Sequence, residues 1–104
     1  MAEERSVRKR LDELRGQIDA IDEQLVKLLS ERAECALQIG HEKKLAAMEV
    51  YQPSREAEVL NHVQQINMGP LDDAAMKRLF ERIIDEARRL ERIADEAREN
   101  GPVE

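Results

Sequence analysis

The chain has 104 residues, with 17 Lys and Arg against 23 Asp and Glu, a formal net charge of −6. Aromatics make up only 2 % (Tyr51 and Phe80), which argues against a β-sandwich or barrel and leaves one domain with a thin core of Leu, Ile, Val, Ala and Met. The acidic balance argues against sequence-independent binding of nucleic acid, which needs a basic face, but not against a local basic pocket.

Residues 1–10 form a polar lead-in carrying Glu3, Glu4, Arg5, Arg8, Lys9 and Arg10. It has no apolar core of the kind a secretory signal needs. No apolar run reaches membrane-spanning length, so the cytoplasm is the expected location and no membrane partner is expected. Cys35 is the sole cysteine, which excludes an intrachain disulfide and a C-x-x-C site. It reads as a small core residue, since no base neighbours it.

The first predicted element runs from about Ser6 to Ala46. Val7, Leu11, Leu14, Ile18, Ile21, Leu25, Leu28, Arg32, Cys35 and Ile39 alternate steps of four and three. That is the seam of a coiled-coil-like helix. A helix of about 40 residues spans roughly 60 Å, whereas a compact domain of this size has a radius of gyration of about 13 Å. Two shorter segments cannot cover so long a stripe, so a second copy of the chain is the expected cover, in an interlocked homodimer. The rival is a break near Gly40 that folds the segment back.

The second element begins at Pro53 and Ser54, with Pro in the first turn and Ser as cap. It carries Val59, Leu60, Val63 and Ile66 on one face. The third begins after Pro70 with Asp72 as cap and runs to about Arg98. Its stripe is Met76, Leu79, Phe80, Ile83, Ile84, Ala87, Leu90 and Ala94. Arg82, Asp85, Arg89 and Arg92 form its solvated face, where Asp85 and Arg89 are spaced as an i,i+4 pair. The expected fold is all-α, a three-helix chain with a very long first helix.

Several polar residues stand in apolar places. Arg32 on the seam costs free energy unless paired. Lys43, eleven residues on, shares its face. Two cations there suit an anion, but judged alone they read first as structural, with Arg32 in an ion pair with Glu91 or another acid. Glu91 falls on the third stripe, where burial would favour the neutral acid. Asp95 pushes the same way, and Arg88 and Arg92 push back. Arg55 and Glu56 read as a solvated cation and a carboxylate near a helix N-terminus. Arg15 flanks Leu14, about 25 Å from Arg32 along a straight helix, so the two can meet one small molecule only across a dimer. His41 and His62 lack ligand spacing, and no metal is expected.

Taken together, Leu14-Arg15, Ile18-Asp19, Ile21-Asp22, Leu25, Leu28-Leu29 and Arg32, then Ile39-Gly40-His41-Glu42-Lys43, then Val50-Tyr51-Gln52-Pro53-Ser54-Arg55-Glu56, then Leu79-Phe80, Ile83-Ile84, Arg88 and Glu91 resemble the all-helical chorismate mutases, type II. The resemblance covers about residues 11 to 92. It implies an intertwined homodimer, a six-helix bundle in which each long helix serves two sites. It also implies isomerisation of chorismate to prephenate without a cofactor.

By the same resemblance, Arg15 of one chain and Arg32 of the other grip the substrate's carboxylates, and Arg55 supports that anionic end. Lys43 donates to the ether oxygen, and Glu91 donates a second hydrogen bond if protonated. Lys43, Glu91 and Arg32 are thus the expected catalytic residues. Glu56, with Gln52, holds the ring hydroxyl. Ala87 lines the site where some members carry Ser, Gln52 stands where many carry Asp, and Glu91 stands where some carry Gln.

Residues 6–98 would be the mutase domain and 99–104 a polar tail. A Met start and that tail suggest a complete small protein, although related mutases are also fused to other shikimate-pathway enzymes, and such an enzyme is a further expected partner. Two rivals use the same residues differently. One is an isochorismate pyruvate lyase of the same fold, the other a non-catalytic helical regulator of a pathway enzyme.

Overall fold

Three α-helices, α1 (Ala2–Leu45), α2 (Pro53–Ile66) and α3 (Asp73–Glu99), make up the computed structural model, with no strand among the described residues, 1–99. Most of the expected polar tail, 100–104, lies outside the described residues. α1 passes Gly16 and Gly40 without a break. It starts four residues ahead of the predicted element, taking in the polar lead-in. Glu3 and Glu4 sit in its first turn, where the helix dipole favours them.

The chain divides into two units, Met1–Arg32 and Ala33–Glu104. The first is helix alone. Its seam residues Val7, Leu11, Leu14, Ile18, Ile21, Leu25 and Leu28 are all 41 % exposed or more.

The second unit holds the end of α1 with α2 and α3. Ala36 and Gly40 are the buried residues of α1, and Lys43 follows them at the next step of three. The face packed within this unit is therefore turned one residue away from the seam positions Cys35 and Ile39. Both of those are exposed in the single chain, so Cys35 is no part of the core within this unit.

α1 ends in a Schellman turn. The Met48 amide donates to the Lys43 carbonyl at 2.7 Å, and the Ala47 amide to the Lys44 carbonyl at 3.1 Å. Ala47 takes a left-handed φ of 55° to allow this. Lys43 is thereby fixed in the last turn.

α2 opens on Pro53, with extended Gln52 before it and no side-chain cap. Ser54 is not the cap expected of it, because Pro53 already occupies the first helical position. Between α2 and α3, the Asn67 side-chain amide donates to the Leu71 carbonyl (2.8 Å) and to Asp73 Oδ1 (3.0 Å). Gly69 supplies the left-handed φ of 73° that this turn needs. Asp72 caps α3 as predicted, its Oδ1 accepting from the Ala75 amide at 2.7 Å.

α2 and α3 pack through the predicted stripes, with Val63 buried and Val59, Leu60, Met76, Phe80, Ile83, Ile84, Ala87, Leu90 and Ala94 half-buried. Ile66 and Leu79 are exposed, contrary to their assignment to those stripes. Ile66 falls on the last residue of α2, and Leu79 on the edge of a stripe centred on Phe80 and Ile84. Asp85 pairs with Arg88 at 2.8 Å, and Arg89 lies 3.9 Å from Glu86, so the expected Asp85–Arg89 pair does not form.

Candidate active site

Glu91 is the one charged residue counted as buried among the described residues, at 9 % exposure. The reason is local. α3 places it on the stripe, and Gly40 of α1 lies opposite. A Cβ built on Gly40 would stand 3.1 Å from Glu91 Cγ and 3.4 Å from its Oε2. A glycine here lets the Glu91 side chain lie against the α1 backbone, where any larger residue would press it back by a few tenths of an ångström.

Lys43, one turn further along α1, brings its Nζ to 3.9 Å from Glu91 Oε2. That is too long for a hydrogen bond. The ammonium donates instead to the Val50 carbonyl at 3.2 Å. Glu91 Oε2 is buried with no hydrogen-bond partner.

Burial pushes the Glu91 carboxyl above its ordinary range. The Lys43 charge opposes this, Asp95 adds to it and Arg88 opposes it, and burial prevails. The sign left open by the neighbouring charges in the sequence is thus set by desolvation. The result is a carboxyl whose pKa is raised by burial, beside an ammonium with donors to spare.

A second cluster joins the start of α2 to α3. Arg88 Nη2 lies 3.0 Å from Glu56 Oε1 and 2.8 Å from Asp85 Oδ1. Its guanidinium stacks 4.8 Å from the centre of the Tyr51 ring. Arg88 and Glu56 are each about one-quarter exposed. Arg88 is legible in the sequence as a charge near Glu91 but not as Glu56's partner. Nothing in the spacing of residues 56 and 88 links two separate helices.

The remaining expected residues are more open. Arg55 is 69 % exposed and pairs with Glu58 at 3.2 Å. Gln52 is half-buried at the head of α2, and Ala87 is half-buried on α3. Arg15 is exposed and Arg32 half-buried, both on α1 within the first unit. The second unit thus brings Lys43 together with Glu91, and Glu56 together with Arg88. No group of three His, Cys, Asp or Glu residues suited to a metal ion occurs among the described residues, and no described helix is long and apolar enough to cross a membrane.

The model of the family described as chorismate mutase type II matches residues 14–92. The chain is 42 % identical over 86 residues to a bifunctional chorismate mutase/prephenate dehydratase of Stutzerimonas stutzeri, covering 78 % of this chain and 24 % of that protein. It therefore spans about a quarter of the length of the curated relatives it matches first. Among solved structures, a chorismate mutase of Thermus thermophilus superposes with a TM-score of 0.79 at 31 % identity, over 80 % of this chain and 94 % of that one. A chorismate mutase of Helicobacter pylori in complex with prephenate gives 0.77 at 30 % identity, over 83 % and 93 %.

Proposed function

Since the chain belongs to the type II chorismate mutase family, we propose that it isomerises chorismate to prephenate, as a homodimer with sites shared between subunits. The observation that carries this reading is the pair formed by the Lys43 ammonium and the buried, hydrogen-bond-free Oε2 of Glu91, 3.9 Å apart. As the substrate's ether C–O bond breaks and the new C–C bond forms, negative charge grows on the ether oxygen. A cation and, when it holds its proton, the carboxyl beside it are the two donors such an oxygen needs, fixed in place before the reaction begins. No covalent intermediate and no general base is required.

The cationic residues supply the grip. Arg15 of one chain and Arg32 of the other clamp the two carboxylates, which suits the guanidinium fork. Arg55 supports them. Its pair with Glu58 is a surface pair of small worth, so a substrate carboxylate can replace Glu58. Glu56 and Gln52 take the ring hydroxyl, and Ala87 lines the wall. Clamping holds a flexible molecule in its reactive chair-like fold.

The exposed seam supports the dimer. From Val7 to Leu28 its apolar side chains lie on one stripe of the first unit, each at least 41 % exposed. A monomer rarely leaves so continuous an apolar surface in water. Obligate dimers bury large apolar surfaces of this kind, and a second copy presents a seam of the same period. The reading extends to a role in aromatic amino acid biosynthesis, in the cytoplasm, beside other enzymes of that pathway. The relatives fused to prephenate dehydratase support that setting.

The test is chorismate disappearance with the purified chain, its mass measured in solution. Prephenate as product from a particle of two chains is the expected result. Chorismate left unchanged but isochorismate split to salicylate plus pyruvate would assign the lyase, and turnover of neither would assign a regulator. Gly40→Ala gives a sharper check on the site. The added methyl must push the Glu91 carboxyl aside, while helix propensity gains about 1 kcal/mol. The expected outcome is a fall in kcat of about ten-fold with little change in KM or melting temperature. An unchanged kcat would show that the placement of Glu91 against α1 does not limit the reaction.

A further inference from the structure

We propose that Arg88 is a positioning residue that aims Glu56 at the substrate's ring hydroxyl and sets the site's preference for a neutral substituent at that ring position over a cationic one. This rests on the mutase reading and on Glu56 as the hydroxyl's partner.

The geometry is specific. Glu56 enters from the first turn of α2 and Arg88 from α3, so their 3.0 Å contact ties two helices. It engages Glu56 Oε1. Oε2 is the oxygen left to accept from a hydroxyl. A carboxylate free to rotate would offer either oxygen in many directions. Contact with the guanidinium at Oε1 restricts that rotation and leaves Oε2 uncommitted.

Arg88 is itself held on two further sides. Asp85 takes the same Nη2 at 2.8 Å, and the Tyr51 ring lies against the guanidinium face at 4.8 Å. Tyr51 immediately precedes Gln52 and Pro53, where α2 begins. One side chain thus fixes both the carboxylate and the segment that launches its helix.

The charges decide the selectivity. Glu56 and Asp85 contribute two negative charges, and Arg88 offsets one of them. A hydroxyl donates to Glu56 whether or not the second negative charge is neutralised. An ammonium at the same ring position would gain from every negative charge left unpaired. Arg88 therefore costs a cationic substrate affinity that a neutral one does not lose.

The experiment compares kcat/KM of the full chain for chorismate and for an analogue carrying an amino group, protonated at neutral pH, in place of the ring hydroxyl. Arg88→Met is expected to lower kcat/KM for chorismate about ten-fold, mostly through KM. The same change should lower the analogue's value less than three-fold or raise it. Glu56→Gln should cost chorismate a similar factor, and the double variant little more than either single one. Arg88→Lys keeps the charge without the planar guanidinium that lies over Tyr51, and should retain the preference for the hydroxyl at a reduced rate. It also carries the comparison if Arg88→Met does not fold. Equal losses for both substrates, or Arg88 and Glu56 effects that multiply, would overturn the proposal. A wild-type chain without chorismate turnover would instead overturn the mutase reading on which it stands.

Discussion

Arg15→Ala and Arg32→Ala are each expected to abolish most activity alone, and to restore about a quarter of the wild-type rate when mixed. The two positions are 17 residues apart on one helix, about 25 Å along its axis. No small dicarboxylate reaches both within a single chain. If each site takes Arg15 from one subunit and Arg32 from the other, every site of either homodimer lacks one clamp. Losing one member of a buried charge pair costs about 3–5 kcal/mol, a hundred-fold to several-thousand-fold in kcat/KM. In a heterodimer of the two variants, one site carries both lesions and the other carries neither. Random exchange at equal amounts makes half the dimers mixed, and half of their sites are intact. The expected recovery is therefore about one quarter, read by prephenate formation after co-refolding. Subunit exchange verified by mass without any recovery would show that the site is not shared. Recovery is also a direct test that a second copy covers the seam, since no other occupant of that stripe restores a missing arginine.

The fold was legible in the sequence wherever a long period left little choice. The seam of α1 and the stripe from Met76 to Ala94 marked two helices, and Asp72 marked the start of α3 through its own side chain. Legibility failed where two elements compete for one position. Ser54 has the chemistry of a cap, but Pro53 had already begun the helix. Cys35 lies on the seam, whereas the face packed within its unit is carried by Ala36 and Gly40. Periodicity gives the stripe and not which of two neighbouring faces a given partner takes. The site divides in the same way. Glu91 was conspicuous as an acid on an apolar stripe, and it is buried there. Arg88 sat on the same helix in plain view, but its meaning comes from Glu56 and Tyr51, more than thirty residues away. Only tertiary contact brings those groups together.

The rate of chorismate conversion is expected to fall as pH rises, and Glu91→Gln is expected to remove that dependence. Burial raises the Glu91 pKa from an ordinary value of 4.5, against the opposing charges of Lys43 and Arg88. Below the raised value the carboxyl is neutral and can donate to the ether oxygen. Above it the proton is lost, and kcat/KM, which reports the free enzyme, falls by up to about ten-fold per pH unit. Ionisation also turns the 3.9 Å contact with Lys43 into full attraction, drawing the ammonium toward Glu91 and away from the substrate. The amide donates at every pH and leaves Lys43 uncommitted, so the variant's profile should be flat at about the wild-type acid plateau. Stability gives an independent reading of the same proton. Between pH 4.5 and the raised value, the folded chain holds a proton that the unfolded chain has released. Folding stability from this group is therefore present at acid pH and declines as pH rises through that window. Glu91→Gln should match the wild-type melting temperature at the acid end and exceed it at the alkaline end. A wild-type rate that stays level from acid to mildly alkaline pH would mean that Glu91 does not donate, leaving Lys43 as the sole donor to the ether oxygen.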